Sequence, residues 1–225
     1  MNKKDILQYF SKIYINKYIL YRSSIKSKDN NYFFLVKDNK KKYLAVVGKH
    51  EMVEKFEGSV SEEKKIGKEE LLAKICYLNH HNLSLLREIF PWLKPSFCGL
   101  KPSFGTGDRL GIATPAHLQA FKGKDIFPIL AQQSVREMSR TERNWQKVLD
   151  DAIWGCFEEG YEGLFGADAD HVKNIKELKE AADCGFTMFT LDPSDFISKD
   201  IEELNDQELN QLYDKIPKNK EIENL

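Results

Sequence analysis

From about residue 99 the chain repeats one rhythm: a short apolar run, a cluster of polar or glycine residues, then a helical pattern. Leu100 to Phe104 leads into Gly105-Thr-Gly-Asp-Arg109 and a helix over Thr114 to Phe121. Ile126 to Leu130 leads into Ala131-Gln-Gln-Ser134 and a long helix from about Thr141 to Glu159. Leu164-Phe165 leads into Gly166-Ala-Asp-Ala-Asp-His171 and a helix over Ile175 to Ala182, and Phe186 to Leu191 leads into Asp192-Pro-Ser-Asp195. Strands alternating with helices imply βαβ units and a parallel sheet, because parallel neighbours need a crossover long enough to hold a helix. Ligand-binding groups in such folds collect beyond the carboxyl ends of the strands, where these polar clusters fall.

The expected fold class is α/β: a partial (β/α)8-type barrel of about four βα units, preceded by a small α/β module. A joint near Pro91 to Gly99 divides the chain into a module at residues 1–92 and a half barrel at 93–225. A whole barrel takes about 250 residues, and only roughly 130 follow the joint. After Asp195 come an acidic amphipathic helix, Ile201 to Ile216, and a charged end. A half barrel would leave two unpaired strand edges, which proteins usually avoid. Completion is therefore expected either by self-association or by a separately encoded C-terminal half. In the first module, Lys4 to Tyr18 reads as a helix, and Tyr32 to Val36 and Tyr43 to Val47 as a hairpin turning at Asp38-Asn39. A charged segment, Glu62 to Lys68, leads into Leu71 to Tyr77, and Asn82 to Phe90 has helical spacing that stops before Pro91.

Composition narrows the classes of partner. The formal net charge is -1, so no global field favours nucleic acid or an anionic membrane. The lysines of the first forty residues are interleaved with core-type aromatics, as on a solvated face. No run approaches the roughly 20 apolar residues of a membrane helix, and no apolar run follows the charged start as in a secretion signal. Cys76, Cys98, Cys156 and Cys184 show no metal spacing, and three lie in apolar segments, which predicts reduced thiols and a cytoplasmic address. The expected partner is a small molecule, with no nucleic acid and no membrane.

Each polar cluster admits a chemical and a structural reading. Gly105-Thr-Gly-Asp-Arg-Leu-Gly111 suits either an amide cradle for an anion with Arg109 as a carboxylate clamp, or a tight turn with an Asp108–Arg109 ion pair. Thr114-Pro115 reads as a helix start with Thr114 as N-cap, and His117 in its first turn as a packing residue. Gln132 and Gln133 suit hydrogen bonds to sugar hydroxyls, or the segment is a polar loop with capping duty. In Gly166-Ala-Asp-Ala-Asp-His171, alternation sends Asp168 and Asp170 to one side with His171 beside them, suiting divalent metal binding or proton transfer. Its structural reading is an Asx turn leading to Asn174 as helix cap. Asp192-Pro-Ser-Asp195 repeats the theme.

Taken together, the strings resemble one family. Phe104 to Gly111, Thr114-Pro-Ala-His117, Ala131-Gln-Gln-Ser-Val-Arg-Glu137, Asp150-Asp151 with Trp154-Gly155, Phe165-Gly-Ala-Asp-Ala-Asp-His-Val-Lys173, Phe186-Thr-Met-Phe-Thr190 and Asp192-Pro-Ser-Asp195 are similar to tagaturonate epimerases. The resemblance implies a divalent-metal-dependent isomerase that interconverts D-tagaturonate and D-fructuronate in hexuronate breakdown. It implies that Asp170 is the proton acceptor and His171 a metal ligand. Arg109, Gln132, Gln133 and Asp168 are the candidate substrate contacts. The family's proton-donor glutamate and two further metal histidines lie beyond the matched strings, and no histidine follows His171 here. Catalysis is therefore expected to require the missing half. The alternative, from another class, is a non-catalytic remnant or sugar-acid-binding module without a complete metal site. A weaker rival is another metal-dependent barrel enzyme, such as a sugar isomerase or aldolase.

Overall fold

The computed structural model of the protein describes Gln8, Phe10 and residues 17–66, 69–195, 197 and 201–215, with the backbone alone at 60–66, 69, 70 and 202. It divides into two compact units, one ending at Leu191 and one beginning at Asp192. Within the first unit, aromatic and β-branched runs build an antiparallel sheet. Its strands are β1 (Ile19–Leu20), β2 (Lys26–Lys28), β3 (Asn31–Lys37), β4 (Lys42–Gly48), β5 (Gly58–Ile66) and β6 (Glu69–Cys76). They run β1-β3-β4-β6-β5, with β2 also on β3. The expected hairpin is β3–β4, and Asp38 Oδ1 closes its turn by accepting the Lys40 and Lys41 N–H groups at 2.7 and 2.8 Å. The charged segment from Glu62, for which periodicity predicted no element, belongs to strand β5 as far as Ile66, and Gly67 and Lys68 lie outside the described residues. A strand at a sheet's rim is specified by the neighbour it hydrogen-bonds, not by its own hydrophobicity.

Both faces of this sheet are buried. Phe33, Leu35, Leu44, Val46 and Leu72 belong to one core, and Phe34, Val36, Ala45, Val47, Ala73 and Ile75 to a second with Phe10. The expected helix over Lys4 to Tyr18 lies outside the described residues except at Gln8, Phe10, Lys17 and Tyr18, of which Gln8 and Phe10 are helical. A short helix, α1 (His50–Val53), follows β4. Helix α2 (His80–Ile89) is the one predicted at Asn82, entered through the Asn79 cap and followed by a 3-10 turn at Pro91–Leu93.

The second sheet is parallel and sequential: β7 (Ser103–Gly107), β8 (Phe127–Ser134), β9 (Gly166–Val172) and β10 (Met188–Leu191), in the order β10-β9-β8-β7. Helix α3 (Thr114–Phe121) joins the first pair, α4 (Val135–Arg140) and α5 (Trp145–Glu159) the second, and α6 (Ile175–Cys184) the third. The mixed α/β class is as expected. The sheet is open, and no closed barrel occurs among the described residues.

Three local expectations need correction. The strands reach further than the apolar runs, so Ala131-Gln-Gln-Ser134 and Gly166-Ala-Asp-Ala-Asp-His171 are strand rather than the loops after it. The long helix expected from about Thr141 begins only at Trp145, and an unpredicted short helix, α4, precedes it, because Glu142 takes a left-handed φ of 53° and Asn144 then caps α5 by accepting the Lys147 N–H at 2.8 Å. Thr114 is not the cap of α3, for reasons given below.

Helix α5 is the spine. Its Trp154 and Phe157 sit in the same core as Phe33 and Phe90, and Trp92 stacks on Phe157 at 6.3 Å. His80 Nδ1 lies 3.1 Å from Asp150 Oδ2, linking α2 to α5. All four cysteines are free, and burial pushes the Cys76 thiol up to about 12, as suits an inert core residue. In the second unit, a 3-10 turn at Ile201–Glu203 precedes α7 (Asp206–Lys215), the expected acidic helix as far as it is described. No helix among the described residues is long and apolar enough to cross a membrane.

Candidate active site

The polar residues meet along the carboxyl ends of the parallel strands, and two bulges arrange them. In β8 the pairing slips by one residue between Leu130 and Gln133, where Ala131 takes a left-handed φ of 59°. In β9 it slips against β10 between Ala169 and Val172, where His171 takes φ 57°. A bulge adds one residue to its strand and re-aims the side chains beyond it. Positive φ at a residue with a side chain costs energy that the surrounding structure must offset.

The first bulge separates two adjacent glutamines. Gln132 Nε2 donates to Asp168 Oδ2 at 2.8 Å, and Thr190 Oγ1 donates to the same oxygen at 2.8 Å. Gly105 on β7 leaves room for Gln132, since a Cβ there would stand 3.0 Å from Oε1. One polar row thus crosses three strands, β8, β9 and β10. Asp168 at its centre is fully buried, and its Oδ1 has no hydrogen-bond partner among the described residues. Gln133, also fully buried, turns the other way. Its Nε2 donates to the Arg109 carbonyl at 3.2 Å and to Thr141 Oγ1 at 3.0 Å, and its Oε1 accepts from Arg143.

The second bulge brings His171 alongside Asp170, where strict alternation would place it on the opposite face. His171 Nδ1 lies 2.7 Å from Asp170 Oδ1, with the imidazole half exposed and the carboxylate mostly covered. An imidazole held by a carboxylate through one nitrogen presents the other outward, as metal-binding histidines do. The pair fits one ligand position of a divalent cation together with its orienting carboxylate. Among the described residues no group of three or more His, Cys, Asp or Glu side chains is placed to hold a metal ion.

The glycine-rich loop after β7 does hold an anion, but an internal one. Asp108 Oδ1 accepts the N–H groups of Leu110, Gly111 and Ile112, and Oδ2 those of Ala113 and Thr114. Burial alone would raise the Asp108 pKa; the backbone donors outweigh it and hold the carboxyl below its usual range. Asp108 therefore satisfies the start of α3 from outside the helix, displacing Thr114 from capping and Arg109 from the expected ion pair. Arg109 reaches instead to Glu137 Oε1 at 2.5 Å, and Glu137 also closes the capping box of α4 with Ser134. The Ser194 N–H donates to Asp192 Oδ1 at 3.0 Å, an Asx turn. Asn174 caps α6 by accepting the Glu177 N–H at 3.0 Å.

Arg143 is a residue that sequence reasoning missed. Its buried guanidinium donates to the Asp108 carbonyl, to Gln133 and, at 2.8 Å, to Asp151 Oδ2. Gly111 lets the loop close over this group, because any Cβ there would strike Asp151 and Arg143. No spacing marks Arg143, since its partners come from a loop, a strand and a helix. Thr190 was missed likewise, as an ordinary strand residue.

A family model for tagaturonate epimerase matches residues 21–224. The chain belongs to the tagaturonate epimerase family. It is 47% identical over 220 residues to a tagaturonate/fructuronate epimerase of Thermotoga maritima, covering 98% of this chain and 44% of that relative. It also resembles the glycerol-bound crystal structure of a fructuronate-tagaturonate epimerase from Cohnella laeviribosi, with a TM-score of 0.79 and 32% identity over 96% of this chain and 42% of that one. The native crystal structure of the same Cohnella protein matches equally. The chain thus spans less than half the length of the relatives it matches.

Proposed function

We propose that this chain supplies the Asp170–His171 part of a divalent-metal-dependent epimerase that interconverts D-tagaturonate and D-fructuronate in hexuronate breakdown in the cytoplasm. The observation that carries the reading is the bulged end of β9, which joins a carboxylate to an imidazole at 2.7 Å in a chain of this family. His171 would be one ligand of the cation, which when bound supplies Lewis-acid stabilisation of charge on substrate oxygen.

The carbon to be inverted bears a hydroxyl and lies one carbon beyond the position α to the ketone. Its C–H is not acidified by the carbonyl, so direct deprotonation is disfavoured. A β-hydroxy ketone can instead undergo retro-aldol cleavage. Asp170 takes the hydroxyl proton as the adjacent C–C bond breaks, leaving an aldehyde and an enediolate. The aldehyde turns over, the C–C bond re-forms on its other face, and the proton returns to oxygen. Atoms and electrons balance without an outside oxidant. Arg109 binds the substrate carboxylate by exchanging its Glu137 contact, and Gln132 presents its amide to a substrate hydroxyl. Asp168 holds Gln132 in that orientation, and Gln133 fixes the backbone carrying Arg109.

Turnover requires further ligands and a proton donor that the described residues do not bring together. A chimera joining this chain to the unmatched part of the Thermotoga relative, assayed with D-tagaturonate and added divalent metal, tests the proposal. Epimerisation by the chimera and none by this chain alone is expected. An inactive, folded, metal-loaded chimera would refute the substrate assignment, and activity of the chain alone would refute the requirement for more polypeptide.

A further inference from the structure

Strand β7 turns two glycines to one face, and two candidate substrate contacts lie over them. A Cβ at Gly105 would stand 3.0 Å from Gln132 Oε1 and 3.2 Å from its Nε2, so the amide rests on bare backbone. A Cβ at Gly107 would stand 3.2 Å from Arg109 Nη1. Residues two apart on a strand face the same way, roughly 7 Å from one another. The amide and the guanidinium therefore sit side by side on one floor.

Neighbouring strands fix which end of the amide is on offer. Asp168 Oδ2 accepts from both Gln132 Nε2 and Thr190 Oγ1, each at 2.8 Å. An oxygen that accepts two hydrogen bonds cannot face a carbonyl oxygen, so the amide nitrogen is committed to Asp168. Oε1 remains, and no donor among the described residues meets it. A carbonyl oxygen only accepts, so it calls for a ligand group that donates.

We propose that Gln132 reads the substrate through Oε1, accepting from the hydroxyl on the carbon next to the carboxylate that Arg109 holds, with Asp168 and Thr190 as positioning residues that fix this polarity. The ligand class is a 2-hydroxy carboxylate; that it is one end of a hexuronate rests on the epimerase reading. Two hydrogen bonds of about 2.8 Å each, joined by a carboxylate and its neighbouring hydroxyl, span the distance between the two glycines. In D-tagaturonate this hydroxyl is not the one whose proton Asp170 takes, but its neighbour. Retro-aldol cleavage leaves both the carboxylate and this hydroxyl on the aldehyde fragment. The pair thus holds that fragment at two points while the bond to the aldehyde carbon turns, which presents the other face without release.

The test compares D-tagaturonate with its analogue in which that hydroxyl is replaced by hydrogen, in the active chimera and in its Gln132→Leu variant checked for native circular dichroism. The analogue should lose roughly tenfold or more in kcat/KM with the unaltered chimera. Gln132→Leu should cost the natural substrate a similar factor and the analogue nothing further, and should release free aldehyde that a hydrazine trap detects during turnover. Thr190→Val should release aldehyde to a smaller extent. Equal rates on the two substrates would overturn the proposal and leave the epimerase reading standing. A Gln132→Leu penalty that is the same for both substrates, with no aldehyde released, would reduce Gln132 to a structural role. If no epimerisation is found, titration of this chain with glycerate and with 3-hydroxypropionate, read by the NMR shift of the Gln132 side-chain amide, decides separately. Tighter binding of glycerate, lost in Gln132→Leu, keeps the site without the epimerase reading, and no difference between the two acids overturns it.

Discussion

Gln132 on β8 and Asp168 on β9 are joined side chain to side chain at 2.8 Å, and the oxygen that accepts this bond also accepts one from Thr190 on β10. Three strands are thereby tied at the level where the candidate catalytic pair begins. Asp168 is fully buried, so each donor matters: a buried carboxylate that loses a partner cannot turn to water. Thr190→Val keeps the shape and removes one donor. It should cost about 1–3 kcal/mol, measured as a lower urea midpoint with unchanged slope. Wild-type stability in that variant would mean that Gln132 alone satisfies the carboxylate.

Asp108 gives a pH dependence with a definite sign. Its folded pKa lies below the ordinary 3.8, so the unfolded chain binds its proton more readily than the folded one. The stability it contributes is therefore present above the unfolded pKa and is lost as pH falls through the folded value. Urea titrations across the acid range should show this loss. Asp108→Asn, which keeps one acceptor and removes the charge, should lower stability at neutral pH and flatten the acid limb.

Gly155 is where α5 passes α3. A Cβ there would meet Thr114 Cβ at 2.7 Å and Pro115 Cδ at 3.2 Å, and both neighbours belong to a helix start with little freedom to move. Gly155→Ala should therefore destabilise by about 1–3 kcal/mol despite alanine's better helix propensity. A thermal melt raised by the substitution would show that the helices can separate.

In the active chimera, Asp170→Asn should abolish turnover while leaving metal content, read by elemental analysis, unchanged. His171→Asn should reduce both. A retro-aldol route also requires that the inverted carbon keep its own hydrogen. Product formed in deuterium oxide should therefore carry no deuterium at that carbon by NMR. Label found there would replace the mechanism with a deprotonation.

Much of the parallel sheet was legible, because apolar runs spaced by helical patterns leave few other topologies. The strand ends were not. Polar residues such as Asp168 are admitted into β9 because Gln132 and Thr190 arrive from neighbouring strands, and no local pattern announces a partner on another strand. Periodicity placed Asp170 and Asp168 together as equals. The structure makes one a buried strut and the other the partner of His171, because the bulge at His171 cancels the alternation. At the Asp108 cradle the sequence left two readings open, an amide cradle for an anion or a tight turn, and a carboxylate six residues before Thr114 already fills the amides.

The sequence by itself determined the hairpin, the βα rhythm, the family, and the identity of the groups able to do chemistry. Those are set by side-chain periodicity and by strings read along one segment. Tertiary structure decided which of those groups meet. Whether Gln132 faces Asp168, whether His171 reaches Asp170, and whether Arg143 bridges a loop, a strand and a helix depend on register slips and on partners distant in the chain. The physical reason is that a bulge costs little locally and is repaid only by contacts that exist once the strands have paired.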